Sequence, residues 1–291
     1  MDIKQLSYFV AIAEEKNITA AANRLHMSQP PLSIQLKQLE EELGVRLIER
    51  NGKRFDLTDK GLVLYKHALT LINEMEEIKN ELKETEEGTK GTLSVGINTL
   101  SVPGFTEILE AFHQKYPQVS LKIVQNDSFH LTELVKNRVV ELAFVRLPLE
   151  HQGLAYHHLF SESFVFVSTE PVHNVSLKDL NNVPLIMPST EGLGIYNLIL
   201  DAFSKEQVQP SRIGECSDMK ILMEMVTAGM GATIVPQSVM DVHGNKSLYS
   251  CKVSESTLVS SLGMIWLEHH FISGPAKNFL KLVREKMKIR L

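Results

Sequence analysis

The sequence predicts an α/β protein in three parts: a small, mainly helical domain that closes with a β-hairpin, one long helix, and a large domain of two α/β lobes that share a cleft. Three patterns predict this architecture. Apolar residues recur at helical spacing from Leu6 to Leu43, a heptad pattern runs through residues 58–87, and strand and helix patterns alternate from Thr92 onward. With 291 residues and 43% hydrophobic content, the chain can bury more than one core.

Two short helices are predicted at the N-terminus. The first is indicated by apolar residues at i, i+3, i+4 and i+7, namely Leu6, Phe9, Val10 and Ala13. The second covers residues 18–26, "ITAAANRLH", whose small alanines allow another helix to approach closely. Only "HMS" (26–28) links it to the next helical segment, and helices joined so tightly are typical of a helix-turn-helix. An ordinary helical hairpin is the alternative.

The third helix begins in "SQPPLSIQLKQLEEE" (28–42), with two prolines in its first turn. Proline fits there because the first N–H groups of a helix have no partner inside it, and Ser28 is the predicted N-cap. One face is apolar and is predicted to be buried: Leu32, Leu36, Leu39 and Leu43. The other side of the helix is polar.

A basic β-hairpin is predicted after this helix. "LIERNGKRFDLT" (47–58) places Asn-Gly between two short extended runs, with basic side chains crowded at the tip. Helices followed by such a hairpin predict a winged helix-turn-helix DNA-binding domain over residues 1–58. The predicted DNA contacts are Ser28, Gln29, Pro30, Ser33, Gln35 and Lys37 on the third helix, for base edges, and Arg50, Lys53 and Arg54 on the hairpin, for phosphates. Solvated polar side chains without a DNA role are the alternative.

The long helix is predicted to link and dimerise the protein over residues 59–88, with Thr58 as its N-cap. Apolar residues repeat along it at spacings of four and three, which is a heptad seam: Leu64, Ala68, Leu71, Met75, Ile78 and Leu82. Such a seam predicts a helix partner in a second copy of the chain. A helix packed on its own domain is the alternative.

The large domain is predicted to span residues 92–291. Strand patterns at 92–97, 119–125 and 142–148 alternate with helical patterns, and a second round follows from residue 164, which argues for mostly parallel sheets flanked by helices. We expect lobe I over about 92–161 and 267–291, and lobe II over about 162–266.

The quoted segments resemble one family over the whole chain. "FVAIAEEKNITAAANRLHMSQPPLSIQLKQLEEELGVRLIER" is similar to the N-terminal signature of the LysR-type transcriptional regulators, and "LTDKG" (57–61) and "VTAGMGATIVP" (226–236) also look like that family. The resemblance implies a winged helix-turn-helix, a dimerising linker helix and an effector domain of two Rossmann-like lobes with a periplasmic-binding-protein-like fold. It further implies homodimers or homotetramers that bind double-stranded promoter DNA and respond to a small molecule.

A ligand site is expected where the strands of the lobes end, because ligands of parallel α/β sheets bind at the carboxyl ends of strands. The loops 98–104 and 188–194 offer backbone N–H groups and hydroxyls for an anion. Arg146 ends an apolar strand and is the predicted anchor for a carboxylate, with an ion pair to Glu141 or Glu191 as the alternative. The other predicted effector contacts are Thr99, Ser101, Ser128, Phe129, Ser189 and Thr190.

The remaining features narrow the function. No apolar run is long enough to span a bilayer and no leader is apparent, so a cytoplasmic protein without membrane contact is expected. The chain has two cysteines and shows neither a metal-spaced ligand set nor a catalytic elbow, so no cofactor, metal or enzymatic activity is predicted. A small-molecule binding protein without a DNA role, or an enzyme acting in the cleft, are the alternatives to a ligand-responsive transcription regulator.

Overall fold

The computed structural model describes residues 1–51, 54–83, 88–100, 102–147, 152–188, 194–254 and 258–288. The chain divides into two compact units. Unit 1 is Met1–Glu84 with Lys136–Val139, and unit 2 is Thr85–Val135 with Val140–Leu291. Within the described ranges, no helix combines the length and the apolar character needed to cross a membrane.

Unit 1 begins with a compact group of helices followed by a hairpin and a long helix. Its elements are α1 (Ile3–Glu15), α2 (Ile18–Arg24), α3 (Gln29–Leu43), β1 (Ile48–Asn51), β2 (Arg54–Leu57) and α4 (Asp59–Lys83). Leu32, Leu36 and Leu39 of α3 pack with Phe9 and Ile12 of α1 in one buried cluster. Ala21 and Ala22 of α2 are buried in the same cluster, as their small size predicts.

The start of α3 differs from its prediction in one detail. Ser28 occupies the N-cap position, but its side chain accepts no capping hydrogen bond. An N-cap oxygen normally accepts from the second or third N–H of the helix, and Pro30 and Pro31 have none to offer. The prolines that fit the first turn therefore also leave the Ser28 hydroxyl uncommitted to the helix.

The hairpin is held against the helices by hydrogen bonds that its backbone N–H groups donate. β1 and β2 pair antiparallel, with Ile48 opposite Leu57 and Asn51 opposite Arg54. The Phe55 N–H donates to the Lys16 carbonyl at the end of α1, at 3.0 Å. On the other strand, the Glu40 carboxylate accepts from the N–H groups of Leu47 and Ile48 at 2.7 and 3.2 Å.

The heptad seam of α4 divides into a buried part and an exposed part. Ala68 is fully buried against Leu6 and Val10 of α1, and Leu64 packs against the same cluster. Ala68 therefore serves the core of its own unit, which corrects its assignment to a dimer seam, while Leu64 is only partly buried in that core. The rest of the seam stays exposed in unit 1: Leu71, Met75, Ile78 and Leu82.

Unit 2 contains the remaining elements. They are β3 (Lys90–Asn98), α5 (Phe105–Lys115), β4 (Gln118–Asn126), α6 (Ser128–Lys136), β5 (Leu142–Leu147), β6 (Leu154–Ser168), a short 3₁₀ helix (Lys178–Leu180), β7 (Pro184–Pro188), α7 (Gly194–Lys205), β8 (Ser211–Cys216), α8 (Met219–Thr227), β9 (Thr233–Pro236), α9 (Gln237–His243), β10 (Tyr249–Lys252), β11 (Val259–Leu267) and α10 (Gly274–Lys288).

The sheet is mixed rather than mostly parallel, and one long strand joins the two lobes. β3 is parallel to β4 and β5, whereas β11 is antiparallel to β5 and to the first part of β6. The last part of β6 pairs antiparallel with β9 and β10, and β7 is parallel to β8. The first part of β6 thus belongs to lobe I and the last part to lobe II.

Each lobe has its own core. Phe112, Phe144 and Phe279 pack together in lobe I, with edge-to-face rings. Phe166 and Phe203 belong to the core of lobe II. Because β11 pairs with β5 from Ser261 onward and contributes to the core of lobe I, the chain returns to lobe I by residue 261, earlier than the expected residue 267.

Gly61 marks a close approach between α4 and the base of the hairpin. A Cβ atom at this position would lie 2.0 Å from the Leu47 carbonyl oxygen, which is much closer than van der Waals contact. We predict that Gly61→Ala destabilises unit 1 by about 1–3 kcal/mol through overpacking. Helix propensity alone would have the opposite sign, since alanine is favoured over glycine inside a helix by about 1 kcal/mol.

Hydrogen exchange of the α1–α3 amides in the full-length protein measures this effect. Gly194→Ala is the control, because a Cβ there meets no atom within 4 Å. Trp266, the single tryptophan, lies in unit 2, and its fluorescence should report an unchanged unfolding midpoint. Unaltered exchange in Gly61→Ala would show that the contact relaxes without cost.

Candidate functional site

The outward side of α3 carries most of the residues predicted to read bases. Gln29 is exposed and donates its amide N–H to the Ser33 hydroxyl at 2.7 Å, one turn along the helix. This bond holds two polar side chains side by side while leaving the Gln29 amide oxygen free of it. Lys37, one further turn along, lies 3.2 Å from the Glu41 carboxylate. Both side chains of that pair are largely exposed, so the pairing is weak.

Gln29, Ser33 and Lys37 form a polar stripe along α3, and the other predicted DNA contacts lie at the head of α3, on its flank and on the hairpin. Ser28 and Pro30 are exposed at the head of α3, and Gln35 is partly exposed on its flank. Arg50 and Arg54 lie on the two strands of the hairpin, at positions whose side chains are outside the described ones. Lys53 lies outside the described residues.

A cleft between the two lobes of unit 2 forms a cavity of about 630 Å³. Lobe I contributes the end of β3, the start of α5 and the end of β4, and lobe II contributes the start of α8 and the end of α9. Its lining includes Asn98, Thr99, Gly104, Thr106, Glu107, Gln125, Asp218, Lys220 and His243. The volume lies in the range of small-molecule sites.

Two helix N-termini face this cavity, and they differ in how they are capped. Asp218 caps α8, because its carboxylate accepts from the Ile221 N–H at 3.0 Å. α5 instead begins at Gly104, which has φ +72° and no side chain with which to cap the helix. The start of α5 therefore has no capping side chain, although Glu107 lies in its first turn, and it is the less neutralised of the two helix ends.

The ionisable side chains in the cavity carry both signs. Lys220 is the cation, and Glu107 and Asp218 are the acids. Burial lowers the pKa of His243 below its ordinary value of 6.5, and Asp218 opposes this effect while Lys220 reinforces it. His243 is consequently neutral near pH 7.

The structure brings some of the predicted effector residues to the cavity and not others. Thr99 lines it, and the loop 98–104 forms part of its wall. Ser128 accepts from the Asn98 amide and from the Arg146 N–H, both at 2.8 Å, so its hydroxyl is engaged within lobe I. Phe129 is 62% exposed and is not among the described lining residues. Ser101, Ser189 and Thr190 lie outside the described residues.

Arg146 is placed differently from its prediction. It is only 4% exposed, and its guanidinium pairs with the Glu162 carboxylate on β6. The guanidinium also donates to the hydroxyls of Ser260 and Ser238, at 3.1 and 2.9 Å. Burial lowers the pKa of Arg146, and the charge of Glu162 opposes that effect.

Arg146 is therefore part of a buried structural ion pair rather than a carboxylate anchor in the cavity. The ion-pair alternative named two other partners. The Glu141 carboxylate accepts instead from the Ser273 hydroxyl at 2.8 Å, and Glu191 lies outside the described residues.

The polar residues of the cavity that the sequence analysis missed include Thr106, Glu107 and Gln125 of lobe I and Asp218, Lys220 and His243 of lobe II. The lobe II residues follow β8 or end α9, and neither of these two elements was predicted. β8, "SRIGEC", has little apolar character, in keeping with a strand of which four of the six residues are exposed. The signal available was Asp218 directly before an apolar helical run, which is the pattern of an N-cap.

Comparison with known proteins identifies the family. Residues 3–62 match the model of the bacterial regulatory helix-turn-helix proteins of the lysR family, and residues 86–288 match the LysR substrate binding domain. The chain belongs to the LysR family. It is a DNA-binding transcription regulator with an effector-binding domain, as the resemblance of its sequence implied.

Individual relatives cover nearly the whole chain. The HTH-type transcriptional regulator BsdA of Bacillus subtilis (strain 168) is 32% identical over 289 residues, which span 97% of this chain and all of the relative. CbnR, a LysR family regulator of known structure, is 23% identical, has a TM-score of 0.75 and covers 99% of both chains. Full-length CbnR complexed with its target DNA has a TM-score of 0.58 at 22% identity and covers 99% of this chain and 100% of that one.

Family membership decides between the alternative functions. The relatives are transcription regulators and not enzymes, which excludes an enzyme acting in the cleft. The helix-turn-helix match likewise excludes a binding protein without a DNA role.

We predict that Arg146→Ala destabilises unit 2 by about 3–5 kcal/mol, because it leaves the Glu162 carboxylate buried without its counter-charge. Urea unfolding followed by Trp266 fluorescence measures the change. The double variant Arg146→Met/Glu162→Gln should recover most of the loss, since no charge is then buried. If Arg146→Ala were as stable as the parent, the ion pair with Glu162 would not stabilise unit 2.

Proposed function

We propose that this LysR-family regulator binds double-stranded promoter DNA through α3 and the β1–β2 hairpin, and binds a small organic acid in the cavity between its lobes. The observation that carries the ligand proposal is a cavity in which the uncapped start of α5 and Lys220 are the positive groups. The DNA proposal rests on the exposed polar stripe of α3.

For DNA, the stripe from Gln29 through Ser33 to Lys37 offers side chains that suit base edges and phosphates. Amide and hydroxyl groups both donate and accept, while a lysine binds guanine or phosphate. Ser28, Pro30 and Gln35 would lie beside this stripe. Arg50, Lys53 and Arg54 on the hairpin would contact phosphates and contribute charge rather than sequence preference. The chromosome is the target in this proposal, so the regulator acts in the cytoplasm.

For the ligand, the two helix ends favour one position for a carboxylate. Asp218 already supplies a negative charge at the start of α8, so a second anion is better placed at the start of α5. Thr99 provides a hydroxyl group there, whereas the Thr106 hydroxyl donates to the Glu107 carboxylate at 3.1 Å. Asp218 repels a carboxylate from the start of α8, while Glu107, in the first turn of α5, reduces the positive charge available at the start of α5.

For assembly, we propose that the exposed part of the α4 seam joins two copies of the chain. Leu71, Met75, Ile78 and Leu82 are spaced for a helix partner and are exposed in unit 1. A dimer would place two helix-turn-helix units on two half-sites, and the proposal extends to a dimer or tetramer. This seam is shorter than the one expected from sequence.

The ligand proposal is tested by a thermal-shift screen of small carboxylic acids, each paired with its uncharged amide. A compound that binds the native state raises the apparent stability. We expect some acids to raise the melting temperature and their amides to leave it unchanged. In isothermal titration, Lys220→Ala should weaken binding of the best acid about ten- to a hundredfold.

Lys281→Ala is the control, because Lys281 lines a separate surface pocket on α10. Equal binding of an acid and its amide would overturn the carboxylate but keep the cavity. If Lys220→Ala bound the acid as tightly as the parent protein, the binding site would lie outside this cleft.

The assembly proposal is tested by Ile78→Asp, which would bury a carboxylate in an apolar helix interface. We expect the parental oligomer to dissociate in analytical ultracentrifugation and operator binding to weaken with it. Val63→Asp is the matched control: it changes an equally exposed apolar residue of α4 that lies off the seam, and it should leave the oligomer intact. An intact oligomer in Ile78→Asp would place the interface elsewhere.

A further inference from the structure

Ile34 occupies the centre of the outward side of α3. It lies two residues after Leu32 and two before Leu36, so it points about 200° and about 160° around the helix axis from these core residues. Its side chain is 55% exposed, whereas Leu32 is fully buried. Ser33 and Gln35, its chain neighbours, are only partly exposed, because they lie on the flanks.

Neither the core nor helix propensity accounts for isoleucine at this position. The side chain packs in no buried cluster of unit 1, and a β-branched residue is a weaker helix former than the unbranched polar ones. The position instead lies at the centre of the surface of α3 that is proposed to contact DNA. Ile34 is flanked there by Pro30 one turn before and Lys37 almost one turn after.

An isoleucine side chain has no hydrogen-bond donor or acceptor, so only one base offers it a matching partner in the major groove. Thymine presents its C5-methyl group there, while guanine, cytosine and adenine present polar atoms. Placing Ile34 against a polar base edge would remove water from that edge without replacing its hydrogen bonds, which is unfavourable.

We propose that Ile34 is a specificity-determining residue that packs against a thymine methyl group in each half-site of the operator. The inference rests on the proposed entry of α3 into the major groove. It assigns to Ile34 an apolar contact that the polar stripe of Gln29, Ser33 and Lys37 does not provide.

The test begins with selection of an operator from random duplexes by the full-length protein. Each thymine of the selected operator is then replaced by deoxyuridine, which removes only the methyl group. For the parent protein we expect one position per half-site at which the replacement weakens binding about fourfold, and about fifteenfold when both half-sites are changed. Salt is held constant, because phosphate contacts make affinity salt-dependent.

Two variants assign the effect to Ile34. Ile34→Ala should bind the thymine and deoxyuridine operators equally, since the partner of the methyl group is gone. Ser33→Ala should bind more weakly overall but keep the fourfold difference. Unchanged binding of Ile34→Ala to random duplex shows that its helix-turn-helix remains folded.

The outcomes separate this inference from the proposed function. If selection enriches an operator but no thymine shows a methyl effect that depends on Ile34, the inference is wrong and the DNA-binding proposal stands. If selection enriches no sequence at all, the proposed promoter binding fails and the inference fails with it.

Discussion

The buried pair of Arg146 and Glu162 is the interaction on which the arrangement of unit 2 depends. Arg146 lies on β5 and Glu162 on β6, near the place where β6 passes from lobe I to lobe II. Neither charge is tolerable alone at this depth, because removing an ion from water costs several kcal/mol. The two hydroxyls that complete the pair come from α9 in lobe II and β11 in lobe I. Four segments from two lobes therefore meet at one guanidinium.

This pair also fixes the position of α9, which forms one wall of the cleft. Ser238 donates its hydroxyl and its backbone N–H to Glu162, both at 2.7 Å, so the start of α9 is fixed to β6. The same helix ends at His243 in the cavity wall. Hydrogen bonds are directional, so they restrict these segments more narrowly than apolar packing of similar volume would. The position of one side of the cavity thus follows from contacts made at the other end of a seven-residue helix.

Much of the fold was predictable from periodicity. The helices of unit 1 and the succession from β3 to β5 lie within a few residues of their predicted bounds, because their apolar faces have a clear period. The first part of β6, "LAYHHLFSES", was missed because its histidines and serines interrupt the apolar alternation. β8 and α9 were also missed, and with them part of the lobe II wall of the cavity, whereas the helix α8 was predicted.

The role of Arg146 was wrong for a different reason. Its local pattern, an arginine at the end of an apolar strand, is the same for an anion site and for a buried ion pair. The role of Arg146 is decided by the Glu162 carboxylate, sixteen residues away along the chain. The two residues come together because β5 and β6 both pair with β11, one on each side of it. Long-range pairing of this kind leaves no trace in a local window, whereas Thr99 was found because its loop directly follows a clear strand.

The linker helix α4 also shows that a local sequence pattern does not reveal which part of the protein covers an apolar face. A heptad pattern states only that one face of a helix is apolar, and it does not state what covers that face. In α4 the repeat is continuous, but Ala68 is fully buried against α1 while Ile78 is 48% exposed. A small residue is required at Ala68 because α1 approaches there, whereas the larger side chains follow where α1 no longer covers the helix. The same seam therefore packs in the core of unit 1 up to Ala68 and is exposed from Leu71 onward, so the burial of each position depends on what lies opposite it and not on the repeat.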